Sequence, residues 1–263
     1  MNVRRIGGLL SRHLYLYQRS VARLLEIFYW PFLDLVVWGF ITIYLARQGN
    51  ELHGAVTFFL GALILWDVLF RAQQGIALSF LEEMWARNLM NLFASPLTVG
   101  EYLAATMVMS ILKVTAVGSL MMLFALLVYS YDIFAIGVAL IPFIFNLLLS
   151  GWIIGVLTTS IIMRFGQQAE VLAWGMVFLF QPISCVFYPL EVLPEALQYV
   201  AWFVPPAHVF EGMRQVLLSH QFPSLHLIWA AGLNAVYLTG MVFWFYRTFN
   251  ICKERGMLVR VGE

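Results

Sequence analysis

The plainest invitation to chemistry in this 263-residue chain is the run "AHVFEGMR", where His208, Glu211 and Arg214 recur at three-residue intervals. On a helix that spacing stacks an imidazole, a carboxylate and a guanidinium on one face. A catalytic zinc usually takes three protein ligands, and H-x-x-E supplies two. Glu211 and Arg214 therefore read as an i,i+3 ion pair, and a polytopic membrane enzyme using His208 and Glu211 stands as an alternative. No Ser-His-Asp or Cys-His order has supporting context. Cys185 and Cys252 are too few for a disulfide framework or a cysteine-rich metal site and read as two unpaired structural thiols. The phosphate loop G-x-x-x-x-G-K-[ST] is absent, so a pump built on this chain needs a separate ATPase.

Asp34, Asp67 and Arg71 sit inside otherwise apolar runs, where ionisable groups are expensive and usually functional. Asp67 and Arg71 have i,i+4 spacing and can pair along one helix face. Asp34 has no partner that the sequence names; it either meets a charge on another helix or faces a pathway. An ion-coupled secondary transporter using Asp34 and Asp67 as proton carriers is the main rival to an ATP-driven one.

The elements that must position these residues are membrane helices. The chain is 62% hydrophobic and 11% charged, with a mean hydropathy of +0.85, which excludes a large soluble catalytic domain. A net charge of +1 argues against nucleic acid as a partner. No cleavable leader or lipid-attachment motif is read at the N-terminus. Six runs reach the length of a spanning helix, near residues 28–46, 55–75, 103–128, 133–160, 170–188 and 225–247. Pro142 and Pro182 are expected to kink their helices.

With the N-terminus inside, all of the 15 basic residues except Arg47 and Arg214 fall on the cytoplasmic side or snorkel towards it, as Arg71 and Lys113 would. Arg4, Arg5, Arg12, Arg19, Arg23, Arg87, Arg164, Arg247, Lys253, Arg255 and Arg260 make up the rest. This predicts an inner-membrane protein with both termini cytoplasmic. Over residues 9–27, Leu10, Leu14, Tyr17, Val21, Leu24 and Phe28 form one stripe while Arg12, Arg19, Arg23 and Glu26 fall opposite. That pattern predicts a basic amphipathic helix lying among anionic lipid headgroups. The 22 Phe, 11 Tyr and 9 Trp read as lipid-facing packing with interfacial belts at Tyr29, Trp30, Tyr44, Tyr129 and Tyr131.

Two connections stand out. In "EEMWARNLMNLFASPLTVGEYL", Leu81, Met84, Trp85, Leu89 and Leu92 form one face and Glu83, Arg87 and Asn91 step by four along the other. This predicts an amphipathic surface helix over 81–94, stopped at Ser95 by Pro96 and followed at once by a capping box at Thr98 and Glu101. Periodicity alone does not distinguish a docking helix from one lying on headgroups. Residues 189–220, punctuated by Pro189, Pro194, Pro205 and Pro206, are too broken for a seventh span and predict two short helices in a hairpin dipping into the outer leaflet.

The first of these stretches resembles the cytoplasmic coupling loop of ABC-2-type exporter permeases, where a charged helix runs into "SP" and an acidic residue opens the third span. The second, "FYPLEVLPEALQYVAWFVPPAHVFEGMR", is similar to that family's outer hairpin through Phe187, Tyr188, Pro189, Leu193, Pro194, Pro205, Glu211 and Arg214. Six spans, the interfacial helix and cytoplasmic termini agree along the whole chain. The resemblance implies an all-α membrane protein forming a single domain over 1–263, paired with a second permease copy in a homo- or heterodimer and served by an ABC ATPase subunit. It implies no cofactor on this chain, with ATP and magnesium on the ATPase. It also implies that Glu83, Arg87 and Asn91 touch the ATPase, that Trp85 and Leu89 anchor the helix, that Ser95 and Pro96 set the bend, and that Glu101 opens the next span. Drugs, lipids, lipid-linked sugars and polysaccharides all suit such an exporter.

Overall fold

The computed structural model describes residues 1–48 and 53–257, and only the backbone of 22–24, 26–27, 45–48 and 53–57. Arg260 and the side chains of Arg23, Leu24, Glu26 and Arg47 thus lie outside the described residues. Among the described residues all regular structure is helical. In chain order the helices are α1 (Val3–Gln18), α2 (Val21–Gln48), α3 (His53–Trp85), α4 (Leu89–Ala94), α5 (Val99–Tyr129), α6 (Leu140–Phe165), α7 (Leu172–Phe180), α8 (Glu195–Ala201), α9 (Pro205–Ser219) and α10 (Ser224–Glu254).

Among the described residues three stretches are long and apolar enough to cross a bilayer: α5, the unit Ile133–Ala169 built on α6, and α10. The other expected spans are shorter or more polar. The apolar part of α2 runs from Phe28 to Tyr44 and that around α7 from Leu172 to Ser184; a helix as short as the latter rises only about 20 Å against a hydrocarbon core of about 30 Å. The 33-residue α3 is long enough, but Asp67, Arg71, Gln73 and Gln74 dilute its hydropathy.

α3 is the axis of the molecule. It is buried on nearly every face from Leu60 to Met84, and α2, α5, α6, α7 and α9 pack around it, with α10 outside α6 and α9. Close approach is possible because glycines face it. A Cβ on Gly151 would stand 2.5 Å from the Ala72 methyl and the Leu69 carbonyl, and one on Gly155 would stand 2.9 Å from the Gln73 carbonyl. This is a small-xxx-small contact of the kind that lets membrane helices touch backbone to backbone. α6 and α10 are joined by a buried polar triangle in which Ser150 donates to Asn234 Oδ1 (2.9 Å) and Asn234 donates to the Asn146 carbonyl (3.0 Å).

Several expected boundaries move. The N-terminal amphipathic helix is α1, which ends at Gln18 rather than at 27; residues 21–27 already belong to α2. Its buried residues are Leu9, His13 and Tyr17; of the predicted stripe Tyr17 is among them, while Leu10 and Leu14 are half-buried. Pro142 lies in the first turn of α6, where a missing N–H costs nothing, so the break falls instead at Gly137 with φ +72°. Pro182 ends α7 and opens a 3-10 turn, closed by Cys185 at φ +54°. Pro31 lies inside α2, which continues through it. Tyr131, expected in an aromatic belt, is buried in the core.

Candidate functional site

Local chemistry builds a corner between α3 and α5. Instead of one helix over 81–94, α3 ends at Trp85 in a Schellman cap: the Arg87 N–H donates to the Met84 carbonyl (2.9 Å) and the Asn88 N–H to the Glu83 carbonyl (2.9 Å). Such a cap needs a left-handed residue just past the helix, and Arg87 takes that role with φ +50°. The six-residue α4 follows, with Leu89 and Leu92 buried. Ser95 then takes an extended conformation before Pro96, and α5 opens on a closed capping box. In it Glu101 N–H donates to Thr98 Oγ1 (3.3 Å) and Thr98 N–H to Glu101 Oε2 (2.9 Å).

The left-handed turn changes which residues face outwards. Glu83 is fully buried, bound by Arg12 at 2.9 Å and by the Asn88 amide at 2.7 Å. Glu83 and Arg87, although four residues apart, do not pair, because Arg87 sits beyond the helix end and Arg12 takes the carboxylate. Arg87, Met90, Asn91, Ser95 and Pro96 remain exposed. Trp85, expected to be an anchor, is 45% exposed, although its indole N–H donates to Glu170 (3.1 Å); Leu89 and Leu92 provide the anchoring.

The N-terminal helix clamps this corner. Asn2 caps α1 through the Arg4 N–H (3.0 Å) and gives its own N–H to Glu101 Oε1 (2.7 Å). Arg5 bonds the Pro96 carbonyl at 2.5 Å and lies 3.6 Å from Glu101. Tyr17 donates to Glu82 (2.9 Å) and accepts from Lys113 (2.6 Å). Bonds from α1 therefore reach α3, the Pro96 bend and α5 together. α10 returns to the same end, where Cys252 bonds the Met163 carbonyl and Phe249 packs on Phe93.

At the opposite end, Arg214 organises the proline-rich segment. It pairs with Glu211 (2.7 Å), donates to the carbonyls of Tyr188 (2.6 Å) and Cys185, and lies over the Phe58 ring. Glu211 also accepts from the Leu190 N–H (2.7 Å). Pro189 and Pro194 immediately precede the short helices they permit, and Pro205 is the first residue of α9. α8 lies against the neighbouring 3-10 turns, whereas α9 packs on α10, α6 and α3. His208 and Glu211 do not converge: His208 Nε2 is 2.8 Å from the Trp202 carbonyl, and its other ring nitrogen is 3.4 Å from His226. Burial pushes the His208 imidazole below its ordinary value. Among the described residues no three His, Cys, Asp or Glu side chains gather as a metal site.

Between the two ends lies a cavity of about 420 Å³, lined by α2, α3, α5 and α7 with Tyr17 of α1. Asp34 and Arg71 border it and also a neighbouring cavity of about 220 Å³ that includes Asp67. Arg71 bonds Asp67 (3.2 Å) and Gln74 (3.0 Å).

Residues 14–218, from within α1 to the end of α9, match the family described as ABC-2 type transporter. The chain belongs to that family. No curated protein matches it. The matched stretch contains the α3–α5 corner, the cavity and the Arg214 segment, and makes the chain the membrane component of an ABC transporter. In this ABC-2 permease the residues that sequence reasoning missed are Asn2, Arg5, Arg12 and Tyr17, which tie α1 to the corner. Their partners lie as far as 99 residues away, so no local spacing announces them. The Gly151–Gly155 contact was legible in "GWIIG" and is the signal that could have been used.

Proposed function

We propose that the chain is the permease subunit of an ATP-driven exporter, with six membrane passes, both termini cytoplasmic, and a second permease copy completing the pathway. The observation that carries this reading is the α3–α5 corner: a rigid double cap presents Arg87, Met90 and Asn91 outwards while α1 ties the same corner to α3 and α5. A load applied at α4 passes directly into two long helices, as a coupling element requires. Ser95 and Pro96 set the bend and Glu101 locks the start of α5. The apolar residues exposed on α2, α5 and α10, among them Phe40, Leu127 and Phe243, suit lipid and a second copy. The α8–α9 segment is read as an outer re-entrant hairpin, its free backbone groups met by Arg214 and Glu211 rather than by water.

The rival proton-carrier reading is weakened by the Asp67–Arg71 bond, which holds the carboxylate in an ion pair. Copurification tests the exporter reading: Arg87→Glu combined with Asn91→Arg should release the ATPase while leaving the melting temperature of the permease unchanged. An ATPase that stays bound and drives normal transport in this variant removes the coupling role from α4. Glu83, buried and paired inside its own chain, does not belong in that test.

A further inference from the structure

We infer that the cavity between α2, α3, α5 and α7 binds a hydrophobic organic monocation, with Asp34 as its counter-ion. The inference names a substrate class for the permease proposed above, and rests on that reading only for what becomes of the ligand once bound. Size comes first: about 420 Å³ with a second cavity of about 220 Å³ beside it holds a molecule of several rings. The walls come next, because Trp30, Phe70, Trp174 and Phe178 present aromatic surface on several sides. Aromatic faces attract cations and shed water.

Charge accounting then selects the sign. Among the described residues five acidic or basic side chains border the two cavities: Asp34, Asp67, Arg71, Glu82 and Lys113. Arg71 is bonded to Asp67. Lys113 and Glu82 are bridged by the Tyr17 hydroxyl, with the Lys113 ammonium 4.6 Å from the Tyr17 ring centre. His13, 3.7 Å from Glu82, leaves this sum unchanged while neutral. One carboxylate remains. Among the described residues no hydrogen bond or ion pair reaches Asp34, and Arg71 acts on it only at a distance. Asp34 is exposed to the cavity rather than packed away. A carboxylate left over in an apolar, aromatic pocket gains most from a cation that loses little hydration on entry.

The test uses the full-length protein in nonionic detergent and two probes of matched shape and opposite charge, tetraphenylphosphonium and tetraphenylborate, measured by equilibrium dialysis. The cation should bind saturably and the anion no more than to protein-free micelles. Asp34→Asn should weaken cation binding at least tenfold, Trp174→Ala several-fold, and Asp34→Glu little. Asp132→Asn, an acid remote from the cavity, should leave it unchanged. Equal binding of both probes, or an Asp34→Asn protein of unchanged melting temperature that binds the cation normally, overturns the inference. Because dialysis needs no ATPase, cation binding that persists where copurification fails removes the exporter reading alone.

Discussion

The two ends of this permease bury charge by opposite strategies. At the Arg214 end the guanidinium takes its hydrogen bonds from one stretch of chain: Glu211 is three residues away, and the carbonyls of Cys185 and Tyr188 lie within 29 residues. At the α1 end the bonds join distant segments, Arg12 to Glu83, Arg5 to Pro96 and Asn2 to Glu101. The first is a clip that holds one segment in shape. The second is a strap that holds separate helices together, so on the proposed reading a displacement of α4 would be felt by α1, α3 and α5 at once. A clip suits a part that must keep its form during transport, and a strap suits a part that must pass movement on.

The sharpest way to break this comparison is to remove the clip. Arg214→Ala takes the guanidinium from Glu211, which keeps only the Leu190 N–H, and from two backbone carbonyls in a largely buried site, and breaking a buried pair from one side costs about 3–5 kcal/mol. The expected outcome is a large fall in the melting temperature of the detergent-solubilised protein, with increased proteolysis within 185–214 and α1 still protected. Equal loss of protection at both ends would show that the two regions are not independent.

Loosening the strap should do the reverse. Arg12→Ala leaves the fully buried Glu83 with only the Asn88 amide, which costs about 1–3 kcal/mol for an under-satisfied buried group. Trypsin should then cut within residues 1–20 while the 185–214 segment stays resistant. Arg12→Ala combined with Glu83→Gln should recover part of the loss, because the second change removes the orphaned charge. A smaller effect is expected from Glu101→Ala, which opens the capping box and frees the Asn2 N–H; capping losses run to about 1 kcal/mol. If the strap reading holds, that variant also exposes α1 to trypsin, whereas an isolated cap would not.

The same contrast explains what the sequence could reveal. The Glu211–Arg214 pair, the Asp67–Arg71 pair and the Thr98–Glu101 capping spacing are three or four residues apart, and helix geometry makes such pairs readable from spacing alone. Glu83 looked like a surface acid for the same reason, since it alternates correctly with Arg87 and Asn91. Two facts lay outside any local window: Arg87 takes a left-handed conformation that ends α3, and Arg12, 71 residues earlier, claims the carboxylate. The Pro142 reading failed in a related way. A proline kinks a helix only when it falls beyond the first turn, and whether Pro142 did so depended on where α6 began, which Gly137 decided. The cavity was not legible at all. Asp34 was visible as an anomaly, but the aromatic walls come from α2, α3 and α7 and meet only in the folded bundle.

The smallest expected effect separates stability from function at one residue. Arg87 holds φ +50°, where a side chain is strained and glycine is not, and both Schellman bonds use backbone atoms that glycine keeps. Arg87→Gly should therefore raise stability slightly, by up to about 1 kcal/mol. It also removes the exposed guanidinium from the outward face of the corner. If Arg87 is present only to close the turn, the variant melts higher and retains its ATPase. If an arginine is tolerated in a strained position because it meets a partner, the variant melts higher and copurifies less ATPase. Arg87→Ala gives the matching control, losing the guanidinium while keeping the strain. Loss of ATPase in both variants, with melting temperatures shifted only in the glycine one, would assign the strain at residue 87 to coupling rather than to folding.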